Sequence, residues 1–473
     1  MFQTPQYLGK FPHLSVGVRL PEVFLEGILT GFKLRNSAGG VMLSFHRETA
    51  PEKVINAPSG IYEITRGHTG TSIKRYIELS VLKAKEKGVV VEVEADHVSV
   101  SVSSEAVKRI SGGGTHRVLS DFEVESALKY IEEEVLEATT TGNINFYTID
   151  TCDLIDHSVD TLSKDEIETR FKDMFGSSDV ATRYTNIDVT IGGLTLKFSE
   201  EDVKRLSLKL LKSIEVAEKI YHVIKNLTPW RFGVEIAFDE TPSVTKPEEL
   251  FFVLNELKNR GIPVDFIAPN VGFLKREDYT GSLNLLYNSV KLLAEIATRF
   301  NTYLSFHSGS GSNPYSMKGT GVHETIRRAT NGFFKYKVSG VYYELLMHIM
   351  SRYPSPRVQR LFEEVYDSII EFLEKQVQEK GELYDKVLEG RLEEYRQRAS
   401  TGRYRNVEAA VFRYYSFLAL NLRRDGQRYF RESIVQLYQE NEDFRKKVDK
   451  ELSSFTVALI DSLGFNDNIR YLF

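Results

Sequence analysis

The stretch "FGVEIAFDE", residues 232 to 240, decides the fold. Its large apolar residues alternate with small or acidic ones, Phe232, Val234, Ile236 and Phe238 against Gly233, Glu235, Ala237 and Asp239. Alternation with a period of two is typical of a β-strand. One face of this strand can pack against helices while the opposite face carries carboxylates. A half-exposed antiparallel sheet alternates in the same way, so the stretch alone leaves two folds open.

The rest of the chain separates these two folds. Eight β-rich runs follow one another, at residues 14–20, 40–47, 89–97, 144–150, 232–240, 263–270, 302–308 and 333–339. Helical stretches with apolar residues three and four apart lie between several of them, for example at 72–88, 246–261 and 282–300. Strand and helix in repeated alternation predict an α/β protein, a (β/α)8 TIM-like barrel.

Two regions fall outside this repeat. Residues 158–230 form a βα insertion after the fourth run, with a hairpin-like "IDVTIGGLTLKFSE" followed by a long helix. An insertion at this place predicts a lid over the mouth of the barrel. We therefore expect a catalytic barrel over residues 1–340 and a helical C-terminal region, residues 341–473, packed on the barrel.

Composition excludes several classes of partner. The net charge is −5, so no broad positive field attracts nucleic acid or an anionic membrane. No apolar stretch approaches the roughly 20 residues that span a bilayer. A single cysteine, Cys152, fits a reducing compartment, and we expect a cytoplasmic protein. The sequence does not determine the oligomeric state, and a homo-oligomer is one possibility.

In a parallel barrel, working residues lie where strands end and in the loops that follow. His97 and His307 end two of the runs, and several carboxylates end others. Histidines with carboxylates suit a divalent metal that keeps an open position, although no contiguous ligand motif is present. Basic residues on the same rim indicate an anionic ligand: Arg19, Lys318, Lys335 and Lys337. The alternative is that these cations are surface charges or pair inside the barrel with Glu92 or Glu94.

Several longer stretches resemble the tagaturonate epimerases, also described as hexuronate C4-epimerases. They are "EIAFDETPS" (235–243), "KPEELFFVLNELKNRGIPVDFIAPN" (246–270), "REDYTGS" (276–282) and "LSFHSGS" (304–310). The likeness covers residues 230–346 best. The chain departs from the expected pattern at Asn270, where an arginine would follow "AP", and in an extension at residues 311–316.

The resemblance implies interconversion of D-tagaturonate and D-fructuronate with a divalent metal, Zn²⁺, Mn²⁺ or similar, and no redox cofactor. The inverted carbon is β to the ketone, so retro-aldol cleavage suits the reaction better than proton abstraction. We assign metal ligation to His97, Asp239 and His307, and acid/base work to Asp150 and Glu240. The sequence does not decide which of Asp239 and Glu240 is the metal ligand and which is the acid/base group. Substrate recognition is assigned to Arg19, Ser308, Gly309, Ser310 and Lys318.

Two alternative functions remain open from the sequence. One is another barrel isomerase or aldolase that acts on a sugar acid. The other is a sugar-acid binding protein without catalysis.

Overall fold

All eight β-rich runs form parallel strands of one closed barrel in the computed structural model, which describes residues 4–113, 119–176, 180–184, 188–191, 193–402 and 405–472. We number these strands β1 to β8 in chain order. Their bounds are His13–Gly17, Gly39–Ser44, Val91–Ser99, Phe146–Asp150, Gly233–Phe238, Phe266–Pro269, Tyr303–Phe306 and Phe334–Val338. Each strand pairs with its neighbours in sequence, and β1 closes the barrel against β8. The predicted (β/α)8 TIM-like fold is confirmed.

The helices of the barrel and of its insertion follow the strands, and several begin at capping residues. They are α1 Pro21–Leu34, α2 Glu52–Ile55, α3 Ile73–Lys87, α4 Ser103–Ile110, α5 Asp121–Thr140, α6 Lys164–Phe175, α7 Val180–Tyr184, α8 Glu200–Leu227, α9 Pro247–Asn259, α10 Leu283–Arg299, α11 Val322–Ala329 and α12 Val341–Arg352. Ser120 and Ser199 close capping boxes at the starts of α5 and α8. No helix among the described residues is long and apolar enough to cross a membrane.

The barrel interior is charged, as the parity of "FGVEIAFDE" predicts. Val234, Ile236 and Phe238 belong to the apolar core of the protein. Glu235 points to the barrel axis, where Lys337 Nζ lies 3.0 Å from its carboxylate. Lys337 also contacts Asp96, at 2.8 Å. The alternative assignment for Lys337, an ion pair inside the barrel, is therefore the one that the structure shows.

The insertion at 158–230 packs on the outer layer of helices in its described part. Its hairpin, Asp188–Ile191 with Leu194–Lys197, is antiparallel as predicted, with Gly192 of the turn outside the described residues. Tyr184 donates a hydrogen bond to Glu256 of α9 (2.7 Å), and the Phe198 ring contacts that of Phe251. Ser213 of the long helix α8 also shares a hydrogen bond with Thr151 at the end of β4 (2.7 Å), and the role of the insertion as a lid stays a prediction.

The C-terminal region is helical: α13 Pro356–Glu379, α14 Lys386–Ser400, α15 Ala410–Tyr415, α16 Tyr429–Glu440 and α17 Glu442–Leu463. It packs against the barrel helices, and α17 lies directly on α1. A Cβ atom added to Gly31 of α1 would lie 2.6 Å from Thr456 Cβ, so glycine permits this close approach. A short 3-10 segment, Ser416–Asn421, brings Phe417 over the carboxyl ends of the strands.

Candidate active site

A cavity of about 110 Å³, open to solvent, lies at the carboxyl ends of the strands. Six residues predicted for the site line it: Arg19, His97, His307, Ser308, Gly309 and Ser310. A second cavity adjoins it and is lined by Asp239, Glu240 and Ser308. Because Ser308 lines both, the two cavities form one continuous site at the mouth of the barrel.

The structure brings the three predicted metal ligands together. His97, Asp239 and His307 each offer one donor atom, and these atoms lie within 4.8 Å of one another. His307 Nδ1 is 3.1 Å from Asp239 Oδ1, and the two imidazole ring centres are 5.1 Å apart. This spacing places one nitrogen or oxygen from each of three strand ends around a single point.

A change of register in β3 helps to place His97. The pairing with β4 shifts between Ala95 and Val98, and His97 has a φ of 45°. The extra residue lets Asp96 and His97, which are consecutive in sequence, both line the cavity. Strict alternation would have sent one of them to the helix side.

Carboxylates fix the orientation of both imidazole rings. His97 Nδ1 lies 2.8 Å from Asp150 Oδ2, and His307 Nε2 lies 2.5 Å from Glu235 Oε1. These contacts leave His97 Nε2 and His307 Nδ1 for a ligand. Carboxylate–histidine pairs of this kind orient the rings in protein metal centres.

Two buried groups at this point, Asp239 and His307 Nδ1, contact each other at 3.1 Å but have no regular hydrogen bond within the described residues. Both carboxylate oxygens of Asp239 and Nδ1 of His307 are buried without a hydrogen bond. Burial lowers the pKa of His307, but Asp239 and Glu235 outweigh it and raise the pKa to about 9. A buried carboxylate is costly unless a cation or hydrogen-bond donors compensate it. The three converging donor groups and the lack of hydrogen bonds to Asp239 therefore fit a divalent cation, which would replace the proton that the raised pKa keeps on His307.

The two predicted acid/base carboxylates have different surroundings. Asp150 is committed to His97 and to the backbone N–H of Cys152, which donates at 3.0 Å. Glu240 pairs with Lys275 and, at 3.5 Å, with Arg47. Burial raises the pKa of Glu240, but Lys275 and Arg47 outweigh it and lower the pKa well below the usual range. Glu240 is thus an ionised carboxylate facing the cavity.

Among the predicted recognition residues, Arg19 lies in the cavity and Lys318 does not. Arg19 makes a two-pronged contact with Glu48, with Nε and Nη2 each 2.7 Å from the carboxylate. Lys318 is fully buried and donates hydrogen bonds to the carbonyl oxygens of Leu274 and, at 3.3 Å, Ser310. Burial lowers the pKa of Lys318 to about 7. Its contacts hold two loops together, so the structure does not bring its ammonium to the cavity.

The loop after β7 packs closely against the neighbouring strand β8. A Cβ atom added to Gly309 would lie 2.7 Å from the carbonyl oxygen of Lys337. Glycine is needed there for packing against β8, whatever ligand its amide contacts. The extension at 311–316 has a structural role: Ser312 N–H and the Ser316 hydroxyl donate to Asp278 at 2.9 and 2.6 Å.

Sequence reasoning missed the cations of the loop after β6. Lys275 and Arg276 both line the cavity. They belong to an irregular loop, where strand parity gives no signal, although "REDYTGS" was among the stretches that carried the resemblance. Phe417 was missed because it lies 110 positions after His307, and nothing in the sequence around it indicates that it lines the same cavity.

Comparisons with known proteins agree with this fold. Residues 127–457 match the family model described as UxaE, tagaturonate epimerase. The tagaturonate/fructuronate epimerase of Thermotoga maritima is 28% identical over 248 residues, 51% of this chain and 48% of that protein. The chain thus spans about half the length of the curated relative it matches.

Solved structures of fructuronate-tagaturonate epimerase UxaE from Cohnella laeviribosi are also similar. The native crystal structure and a glycerol complex each superpose with a TM-score of 0.64 at 18% identity, over 97% of this chain and 83% of theirs. At this identity the likeness supports the barrel fold and no further property.

Proposed function

Because the chain belongs to the tagaturonate epimerase family, we propose that it interconverts D-tagaturonate and D-fructuronate by inverting C4 of the ketohexuronate. One observation supports this proposal most strongly. His97, Asp239 and His307 converge at the strand ends, and within the described residues the buried Asp239 carboxylate has no hydrogen bond and one ion pair, with His307. A retro-aldol epimerase needs such a centre, because negative charge develops on substrate oxygens when the carbon–carbon bond breaks.

The chemistry of the substrate favours cleavage over deprotonation. C4 is β to the ketone, so its C–H bond is not acidified. Removal of the proton from the C4 hydroxyl instead breaks the C3–C4 bond, forms an aldehyde at C4 and leaves the electron pair in an enediolate. The aldehyde then presents its other face, and bond formation with return of the proton gives the epimer. No redox change occurs.

We infer that His97, Asp239 and His307 hold a divalent metal such as Zn²⁺ or Mn²⁺. When bound, the metal acts as a Lewis acid and stabilises negative charge on the ketone and hydroxyl oxygens. Asp150 and Glu235 keep the two rings in position through His97 Nδ1 and His307 Nε2. Asp239 is the more suitable ligand of the pair Asp239 and Glu240, since Glu240 is already neutralised by Lys275 and Arg47.

Glu240 is the acid/base group whose contacts support the role best. Its carboxylate is ionised, lines the cavity and can accept the proton of the C4 hydroxyl. The ammonium of Lys275 beside it can supply a hydrogen bond to the same oxygen of the substrate. Asp150 faces His97, and its assignment as the second acid/base group stays a prediction.

A single incubation tests the reaction. D-Fructuronate is incubated with the protein and Zn²⁺ in D2O, and the products are followed by ¹H NMR. We expect signals of D-tagaturonate with hydrogen retained on C4, because the retro-aldol route never removes that hydrogen. Treatment with a chelator should abolish turnover, and added Zn²⁺ or Mn²⁺ should restore it.

Other outcomes of this incubation contradict the proposal in distinct ways. Deuterium at C4 would show deprotonation instead of cleavage. Accumulated aldehyde products would indicate an aldolase. Unchanged spectra with added metal would indicate a binding protein without catalysis, and full activity after exhaustive chelation would exclude the metal.

A further inference from the structure

Within the described residues, the guanidinium of Arg276 is buried in the active-site cavity without an anionic partner, and it lies over the Tyr414 ring, 5.5 Å from the ring centre. Only 7% of the residue is exposed, and it lines the cavity together with His307 and Ser308. Within the part of the chain that the structure describes, its side chain donates no hydrogen bond and forms no salt bridge, and Nη1 is fully enclosed. Burial lowers the pKa of Arg276 to about 10, an effect that Glu344 opposes and Arg19 reinforces. A charge buried in this way is costly unless a ligand compensates it.

A second guanidinium lies beside it over the start of a helix. A Cβ atom added to Gly340 would lie 3.3 Å from Arg276 Nη2 and 3.6 Å from Arg19 Nη2. Gly340 lines the cavity and immediately precedes α12, a helix of 12 residues. Two guanidinium groups and the positive end of a helix thus converge on one region.

The charges around this region do not cancel. Arg19 pairs with Glu48, and Arg413 pairs with Glu344 through its Nε at 2.5 Å. Arg413 also fixes the backbone of Arg276, since its Nη1 donates to the carbonyl oxygen of Arg276 at 3.4 Å. Both neighbouring carboxylates are therefore committed to other arginines. Arg276 is thus left without a carboxylate partner within the described residues, its guanidinium over the Tyr414 ring and its backbone held by Arg413.

We propose that Arg276, together with Arg19 and the N-terminus of α12, binds the carboxylate of the hexuronate substrate. Naming the hexuronate rests on the proposed function. The planar fork of an arginine matches a carboxylate with two parallel hydrogen bonds. His97 and His307 line the same cavity, so the ligand extends from the arginine end to the ketone and hydroxyl end.

This anchor also explains how the cleaved fragment stays in the site. Breakage of the C3–C4 bond leaves the carboxylate at the far end of the aldehyde fragment, two bonds from the aldehyde carbon. A grip on that carboxylate retains the fragment while the aldehyde turns its other face. Arg276 is thus a substrate-binding residue that determines specificity for the acid over the uncharged sugar.

Calorimetry on metal-stripped protein tests the proposal, since binding is then read without turnover. The probes are D-fructuronate, D-fructose and D-fructose 6-phosphate, against wild type, Arg276→Gln and Arg276→Lys. We expect Arg276→Gln to raise the Kd for D-fructuronate by roughly 10- to 100-fold, the scale of a charge-assisted hydrogen bond. The Kd of this variant for D-fructose should change less than about twofold, because D-fructose has no carboxylate for Arg276 to bind. Arg276→Lys should fall between the two, since it keeps the charge but not the fork.

Arg260→Gln is the matched control. Arg260 is a half-buried arginine paired with Glu218 on the outer helices, so its loss should leave all three affinities unchanged. Folding is followed separately by thermal unfolding. Arg276→Gln should unfold at the same temperature as wild type or higher, because it removes an uncompensated buried charge.

The outcomes separate this proposal from the proposed function. Wild type that epimerises D-fructuronate, with a Kd unchanged in Arg276→Gln, overturns the carboxylate anchor and leaves the function standing. If D-fructuronate binds in an Arg276-dependent manner but is not turned over, the carboxylate anchor is supported and the proposed epimerase activity is contradicted. Tighter binding of D-fructose 6-phosphate than of D-fructuronate would show that the site binds a phosphate and not a carboxylate. An equal loss of affinity for D-fructuronate and D-fructose in Arg276→Gln would show that Arg276 does not determine specificity for the acid.

Discussion

Two clusters of histidine and carboxylate lie inside the same barrel, one near each end. His13, Glu92 and Glu94 form the lower cluster, at the amino ends of the strands, and His97, Asp239 and His307 form the upper one. In both, the donor atoms lie within 4.8 Å of one another. By ligand type and spacing alone, either cluster qualifies as a metal centre.

The lower cluster contains its own cation. Lys335 Nζ lies 2.7 Å from Glu94 and 3.9 Å from Glu92. Burial and Lys335 lower the pKa of His13 to about 3, and burial raises the pKa of Glu92 well above its usual range. An ammonium and neutral side chains therefore leave this cluster little charge for a metal.

Among the described residues, no lysine or arginine forms an ion pair with the upper cluster, where the ion pair is between two of its own members, His307 and Asp239. Its nearest lysine, Lys337, is committed to Asp96 and Glu235, and Asp239 has no hydrogen bond within the described residues. The difference shows that a built-in ammonium, more than the set of ligand residues, separates a structural ion cluster from a candidate metal centre.

The largest expected effect comes from removing a carboxylate from each cluster. Asp239→Asn should lose the bound metal and reduce kcat/KM by about 10³-fold or more, equivalent to several kcal/mol of lost charge stabilisation. Glu92→Gln should keep the metal and most of the activity, since it replaces a carboxylic acid by an amide of similar shape. Zinc per chain, measured by elemental analysis after dialysis, checks both. If Asp239→Asn retained the metal and Glu92→Gln lost it, the lower cluster and not the upper one would be the metal centre.

Removal of the ammonium should break the lower cluster instead. Lys335→Met removes the cation closest to the buried Glu94 and leaves it the Ser15 hydroxyl and Lys337 at 3.8 Å, and we expect the free energy of unfolding to fall by about 3 kcal/mol. Urea unfolding measures this loss. Lys53→Met is the surface control, because Lys53 pairs with Glu133 in solvent and its loss should change the stability little. A similar small loss for both variants would show that Lys335 does not compensate the cluster.

The barrel was readable from the sequence because each strand has its own local pattern. The eight runs predicted the eight strands with ends within a few residues, and the alternation in "FGVEIAFDE" predicted that Glu235 faces inward. Inward parity also placed His307 and Asp239 on one rim. The same parity could not decide between a ligand-binding and an ion-pairing role for Lys335 and Lys337, since opposite charges on distant strands meet only in the closed barrel.

The rest of the site depends on contacts between distant parts of the chain. The register shift in β3 that turns His97 into the cavity leaves no mark in "VEVEADH". Arg276 is placed by Arg413, which lies 137 positions later. Lys318 follows the loop after β7 and so was expected at the rim, but that loop folds back and buries its ammonium against Leu274 and Ser310.

The smallest expected effect concerns Asp150, whose predicted role and observed contacts differ. Asp150→Asn weakens the carboxylate contact that orients His97, so metal affinity should fall by roughly 10- to 100-fold. If Asp150 acts only through His97, saturating Zn²⁺ restores kcat, because the ring is still present to bind. If Asp150 also transfers a proton, kcat stays low at saturating Zn²⁺. Asp156→Asn is the matched control, since Asp156 pairs with Arg170 on the adjacent segment. Titration of kcat against free Zn²⁺ for both variants therefore decides whether the carboxylate beside His97 positions a ligand or takes part in the reaction.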